Sequence, residues 1–460
     1  MNYTFSNKTL HVTLLILSMI AISVLATFNI TILAIMLGMF ITLFLITIKK
    51  SHYFLFLSPF LTLSLVPSTF VPSLTFSTSI GTIRPTLILL LVGLIFFIVI
   101  IKGFKVDFTL VHENLAVINL LLLFFLMNLA SIFINGFDSN NFRVSLIIFI
   151  LSFVFFIFTL IFKDSINSLQ VIKISIYISS LVSLIGIIEF FGIQPYLPLY
   201  MIDREYFAYS AALDGLPRVV SSIGNPIILS GYLLLCFPLV LYIRKIEKRK
   251  LMWDIIAILH IVCVMFTLSR SSMLTLAVAS SYFIIKTEKI GKIAKNLFLA
   301  ISLFLMFYLI LRFNGLTQAF EERIFFDSND ISFDIRMQAY EITKNILQST
   351  NPLFGIGRLS LGEYLSNNAN FMNGTLENVF LTVLVGMGII GLSILLGILF
   401  FLLRSFSKMN GDLKITGYCL FITFLGLSFF INLLPYDLLW GVFWFFSGLL
   451  LLHNNQINNK

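Results

Sequence analysis

The feature that most constrains this chain is a series of uninterrupted apolar runs, each about 16 to 25 residues long, recurring from Leu10 almost to the last residue. A run of that length is what an α-helix needs to cross the hydrocarbon core of a bilayer. Lipid offers no partner for backbone N–H and C=O groups, so a spanning segment must satisfy them internally, as a helix does. The strands of a membrane barrel would alternate apolar and polar side chains, and these runs do not alternate. The fold class that follows is all-α: a polytopic transmembrane helical bundle of about 12–14 spans, with one large extracytoplasmic loop containing short helices. Composition agrees, since 59% hydrophobic and 11% charged residues exclude an ordinary soluble protein.

Spans are expected near 10–28, 29–48, 52–66, 86–101, 115–134, 144–162, 171–193, 225–243, 253–268, 272–285, 296–312, 379–403, 414–433 and 438–453. The first run, Leu10 to Thr27, lacks a small-residue cleavage site and a second run follows at once, so it reads as a retained span rather than a signal peptide. Cys236, Cys263 and Cys419 each sit inside an apolar run, too far apart in sequence for a metal motif, and read as small core residues.

Charge orients the bundle. With a cytoplasmic N-terminus, the inner loops hold Lys49 and Lys50, Lys102 and Lys105, Lys163, the cluster from Arg244 to Lys250, the cluster from Lys286 to Lys295, and Arg404 with Lys408. The outer positions carry Arg84, Arg143, Arg204, Arg218, Arg270, Arg312, Arg323, Arg336 and Arg358, with Lys344 as the one lysine. Loop charge thus explains the basic excess, and nucleic acid is not an expected partner. Orientation by charge does not require arginine, whereas planar, bidentate recognition of phosphate or carboxylate does. The competing explanation is that some of these arginines pair with outer carboxylates and only tie loops together.

The longest polar interruption runs from Phe313 to Asn378. Within it, Ile335, Ala339, Ile342 and Ile346 fall on one face of an amphipathic helix expected over Asp334–Gln348, capped by Ser332 or Asp334 and ended by Asn351-Pro352. Four stretches stand out for chemistry: RVVSSIGNP at Arg218–Pro226, TLSRSS at Thr267–Ser272, the run from Phe333 to Gly357 ending in PLFGIG, and TLENVFLTVLVGMGIIG at Thr375–Gly391. They place Arg218, Arg270 and Arg336, with the carboxylate Glu377, at the outer ends of different spans or loops. Ionisable residues at such depth are costly and usually face a cavity. Two plainer roles compete: Arg270 snorkelling to the interface at a helix end, and Glu377 as a favourable charge at a helix N-terminus.

The order of these stretches resembles the O-antigen polymerase/O-antigen ligase superfamily of bacterial membrane glycosyltransferases, over about residues 210–400. The shared pattern is an arginine followed by Asn-Pro (Arg218, Asn225, Pro226), a Ser-Arg between spans (Ser269, Arg270), an arginine-bearing loop helix (Arg336), Pro and Gly-x-Gly (Pro352, Gly355, Gly357), then Glu377-Asn378 with Gly388 and Gly391. Ligases of that superfamily place a histidine where this chain has Glu377. The five histidines, His11, His52, His112, His260 and His453, fall in no outer loop, so the pattern is closer to the repeat-unit polymerases of O-antigen or capsule type.

The resemblance implies an enzyme of the bacterial cytoplasmic membrane, with its active site on the periplasmic or extracellular face. Its substrates would be undecaprenyl-pyrophosphate-linked oligosaccharides, polymerised with inversion. Glu377 would be the catalytic base and Arg218, Arg270 and Arg336 the pyrophosphate ligands, with Asn378, Arg358 and Asn225 in support. No cofactor is implied, and with no Asp-x-Asp motif in an outer loop the reaction is expected to be metal-independent. A chain-length regulator protein is a candidate partner besides the lipid bilayer. The expected division is 1–193 as an N-terminal transmembrane bundle, 194–403 as the catalytic region including the outer loop 313–378, and 404–460 as a C-terminal hairpin.

The nearest alternative is a ligase that transfers a finished glycan once. A polysaccharide flippase also remains open, although transporters place charge at the midplane in paired repeats, and here it gathers at one face. Peptidoglycan polymerases, with fewer spans and an acidic outer-loop residue, are a third possibility.

Overall fold

The computed structural model describes residues 108–137, 139–161, 167–192, 218–288, 331–357, 376–434 and 437–459, with single positions between 305 and 312 and between 359 and 365. The four spans expected before residue 108, most of that at 296–312, and Arg358 lie outside the described residues.

The described elements are helical, with no strand among them. In chain order they are α1 (Thr109–Glu113), α2 (Leu115–Ile134), α3 (Ser139–Phe149) continuing through a π turn (Ile150–Val154) into α4 (Phe155–Ile161), α5 (Ser168–Phe190), α6 (Pro226–Ile246), α7 (Lys250–Phe266), α8 (Arg270–Thr287), α9 (Ile331–Ser349), α10 (Val379–Ser407), α11 (Gly411–Phe430) and α12 (Asp437–Asn458). Seven of these segments are long and apolar enough to cross a membrane: α2, the α3–α4 unit from Val144 to Ile161, α5, α6, α10, α11 and α12. The multi-pass, all-α expectation is therefore met. The short pair expected at 253–268 and 272–285 is α7 and α8, of 17 and 18 residues, which run between the same two ends.

In lipid, helices associate through close packing rather than through a hydrophobic driving force, so small residues mark the contacts. A Cβ on Gly448 of α12 would lie 1.7 Å from Thr159 Oγ1 of α4, and one on Gly426 of α11 would lie 2.8 Å from Thr275 Oγ1 of α8. The centre is filled by α6 and α12, whose Tyr232, Trp440, Phe443, Trp444 and Phe446 are fully buried. The two histidines inside the bundle are paired. His260 bonds Ser179 at 2.8 Å, and His453 bonds Ser168 at 2.9 Å and Tyr242 at 3.0 Å. The three cysteines are free and buried, as expected.

The bundle has two chemically different ends. At one, α5, α6, α7 and α11 are tied by ion pairs: Lys173 with Glu247, Arg244 with Asp254, and Lys245 with Asp412. The other holds Arg218, Arg270, Arg336 and Glu377. The alternation of helix directions explains why: α6, α8 and α10 all begin at this second end.

The loop helix α9 starts at Ile331, so Ser332 and Asp334 lie inside it and neither caps it. Ala339, Ile342 and Ile346 bury against Leu381 and Val385 of α10 and against Ile356.

The PLFGIG turn enters the bundle and docks into a break in α10. Gly388 there has φ 69° and ψ −169°, outside helical space. A Cβ on Gly388 would meet the Leu353 carbonyl oxygen at 2.2 Å, while one on Gly397, further along α10, would find only Leu120 Cδ1 at 3.5 Å. Gly388→Ala is therefore expected to lower the thermal unfolding midpoint in detergent, at about 1–3 kcal/mol from the backbone conformation alone. Gly397→Ala should be neutral, and equal midpoints for the two would remove this account of the break.

Candidate active site

Each candidate residue is set by a distinct local device. Arg218 is buried, and its Nε donates to the Thr267 carbonyl at 3.0 Å while Val219 N donates to Phe266 O at 3.3 Å. The segment after Arg218 is thus stitched to the last turn of α7. A 3-10 turn, Ser221–Ile223, and the left-handed Gly224 then lead to Asn225. Asn225 is the N-cap of α6, its Oδ1 accepting from Ile227 N and Ile228 N, with Pro226 at the first helical position. Arg270 opens α8 directly after Ser269. The hydroxyls of Ser269, Ser272 and Ser230 form a chain at 2.9 and 2.7 Å that joins the α8 start to α6.

Asn378 caps α10 in the same way as Asn225 caps α6, accepting from Phe380 N and Leu381 N, and its Nδ2 donates to Phe429 O of α11 at 3.1 Å. The two supporting asparagines are therefore helix caps. They fix the residues around them and leave the carboxylate to Glu377.

Glu377 sits one residue before that cap with φ 46°. Its Oε2 lies 3.9 Å from Arg336 Nε, close enough for ionic attraction and too long for a hydrogen bond. Arg336 Nε is buried without a hydrogen-bond partner, and the guanidinium lies 5.7 Å from the centre of the Phe430 ring. Burial pushes the Glu377 carboxyl above the ordinary carboxylate range, and the Arg336 charge partly offsets the rise.

The antiparallel register of α8 and α11, with Thr275 beside Gly426 and Cys419 Sγ donating to Ala279 O, carries Arg270 to the level of Phe430. All four candidates thus lie at one end of the bundle, with Arg336 against Phe430 and the cap after Glu377 bonded to Phe429 in the last turn of α11. Among the described residues three non-glycine positions have positive φ: Ser221, Leu268 and Glu377. Each is, or lies within three residues of, a candidate site residue. Such conformations are costly and concentrate where a function holds them in place.

Residues 255–396 match the O-antigen ligase family. No curated protein matches the chain. The O-antigen ligase match contains Arg270, Arg336, Glu377, the PLFGIG turn and the Gly388 break, and it agrees with the superfamily resemblance read from the motifs. Arg218 and Asn225 precede it. Among the described residues, His112, His260 and His453 belong to α1, α7 and α12, and none stands in the segment that bears Glu377.

One residue escaped the sequence reading. Glu189, near the end of α5, accepts hydrogen bonds from Val220 N at 3.1 Å and Ser221 N at 2.6 Å, and so holds the strained turn beside Arg218. The signal was present, since Glu189 is the lone carboxylate in the apolar run 171–193.

Proposed function

We propose that this membrane protein is a glycosyltransferase that polymerises undecaprenyl-pyrophosphate-linked oligosaccharide repeat units into a surface polysaccharide. A hydroxyl on the terminal sugar of a fresh repeat unit attacks the anomeric carbon of the growing chain. The new glycosidic C–O bond forms as the anomeric C–O bond to pyrophosphate breaks, and the lipid pyrophosphate leaves with the electron pair. Glu377 takes the hydroxyl proton. Arg270 and Arg336, with Arg218 behind them, hold the charge that develops on the leaving pyrophosphate. A base on the face opposite the leaving group gives inversion. With arginines in the place of a divalent cation, activity should persist in chelator.

The observation that carries this reading is Glu377 itself: a half-buried carboxylate with a raised proton affinity, held in a strained backbone beside an arginine whose Nε is unpartnered. The lysine and arginine ends of the bundle support an orientation with this site outside the cytoplasm. A chain-length regulator would act on the product from the same side.

The second reading is a ligase that transfers a finished glycan to a lipid or protein acceptor, and the family match favours it by name. Purified protein supplied with lipid-linked repeat units separates the two. A polymerase yields a ladder of lengths that grows with time. A single addition to an added acceptor, with no ladder, would replace polymerase by ligase.

A further inference from the structure

The break in α10 raises a question of hydrogen-bond accounting. In an unbroken helix Ile389 N would bond Val385 O, and Ile390 N would bond Gly386 O. Here those four groups turn to the inserted loop: Ile356 N donates to Val385 O at 2.9 Å, Gly357 N to Gly386 O at 3.0 Å, Ile389 N to Pro352 O at 2.9 Å and Ile390 N to Leu353 O at 3.4 Å. The exchange takes place about 14 Å into α10, at 1.5 Å of rise per residue. At that depth irregular backbone survives only where protein satisfies it.

The inserted turn also brings the carbonyls of Phe354 and Gly355, and α2 supplies their donors. Ser131 Oγ, fully buried, donates to Phe354 O and lies 3.1 Å from Gly386 O. Asn135 Nδ2, one helical turn on, donates to Gly355 O at 3.1 Å. Gly357 packs so closely that a Cβ there would lie 2.5 Å from Ser131 O. Two α2 side chains thus complete the hydrogen bonding of the break.

We infer that Ser131 and Asn135 are positioning residues for the Arg336–Glu377 site, acting through the re-entrant turn that they hold in the α10 break. The turn follows α9, which carries Arg336, and it fixes the first half of α10, which follows Glu377. With the turn seated, α9 and the first half of α10 share one small apolar core. With the turn released, the four orphaned groups of α10 are satisfied by a continuous helix. Straightening at Gly388 then swings the segment that bears Glu377 away from Arg336. Neither α2 residue lies in the stretch that matches the O-antigen ligase family. The catalytic consequence rests on the base assigned to Glu377, while the seating of the turn does not.

The test uses the full chain in detergent, as wild type, Ser131→Ala and Asn135→Asp, the last an isosteric loss of the donor at an exposed position. Hydrogen exchange is followed at the amides of Ile356, Gly357, Ile389 and Ile390. Wild type should protect all four, and each variant should speed their exchange about tenfold, the worth of one hydrogen bond. Turnover of lipid-linked repeat units should fall about 10²-fold through kcat, and the acid limb of the pH–rate profile should move to higher pH as Glu377 loses its cation. Unprotected amides in wild type would overturn the seated turn. Faster exchange with unchanged kcat and pH profile would overturn the positioning role. If Ser131→Ala does not fold, Asn135→Asp decides both points. Full activity in Glu377→Gln beside a loss in Asn135→Asp would remove the base but leave the positioning of Arg336.

Discussion

Replacing Glu377 by Gln is expected to lower kcat by about 10²- to 10⁴-fold, the usual contribution of a positioned general base. The substitution keeps the size of the side chain and removes the charge and the proton-accepting oxygen pair. Asn378 still caps α10 and Leu376 still buries, since neither depends on the carboxylate. The fold should therefore hold, and the loss should appear in turnover rather than in the thermal midpoint. The wild-type rate should rise with pH as Glu377 ionises, because only the carboxylate can accept a proton. Burial raises its pKa, so this limb lies above the ordinary carboxylate range. Turnover of lipid-linked repeat units at saturating substrate, measured across pH, checks both statements. Wild-type turnover in the Gln variant would take Glu377 out of the chemistry.

Arg336→Ala is expected to reduce kcat/KM by about 10²- to 10³-fold, the cost of removing one preorganised donor from developing charge. It should also shift the acid limb further upward, because Arg336 is the charge that holds the Glu377 pKa down. Arg336→Lys separates these effects. A lysine keeps a positive charge near Glu377 and so retains most of the pH profile, but it lacks the planar fork that grips two phosphate oxygens. An Ala variant with the wild-type limb would show that Arg336 and Glu377 do not interact. An Ala variant with wild-type kcat/KM would remove Arg336 from the pyrophosphate site. Arg218→Ala is a different case: it strips the Thr267 carbonyl of its donor, so it should lower stability as well as rate.

Much of this was legible in the residues. The span expected at 115–134 is α2 to the residue, because a run of Leu, Phe and Ile bounded by Asn114 and Asn135 leaves little freedom in its ends. The stripe of Ala339, Ile342 and Ile346 identified the buried face of α9, since one face of a helix repeats every three to four residues. Its start was placed too late, because Ser332 and Asp334 resemble caps and nothing local opposes that reading. As motif letters, Asn225 and Asn378 read only as supporting residues of the site. Their cap roles became visible only with backbone geometry.

The sequence by itself determined that the chain crosses a membrane several times, that the lysine clusters fall at one end, and which arginines and which carboxylate share the other. These follow from span length and loop charge, which are local properties. Only the tertiary structure decided that Glu377 faces Arg336 from a left-handed backbone, that Glu189 holds the turn beside Arg218, and that PLFGIG fills the break at Gly388. Each of these joins residues far apart in the chain, through backbone groups that every residue carries alike. A sequence shows where a glycine stands, but not which distant carbonyl occupies the space that a side chain would have filled.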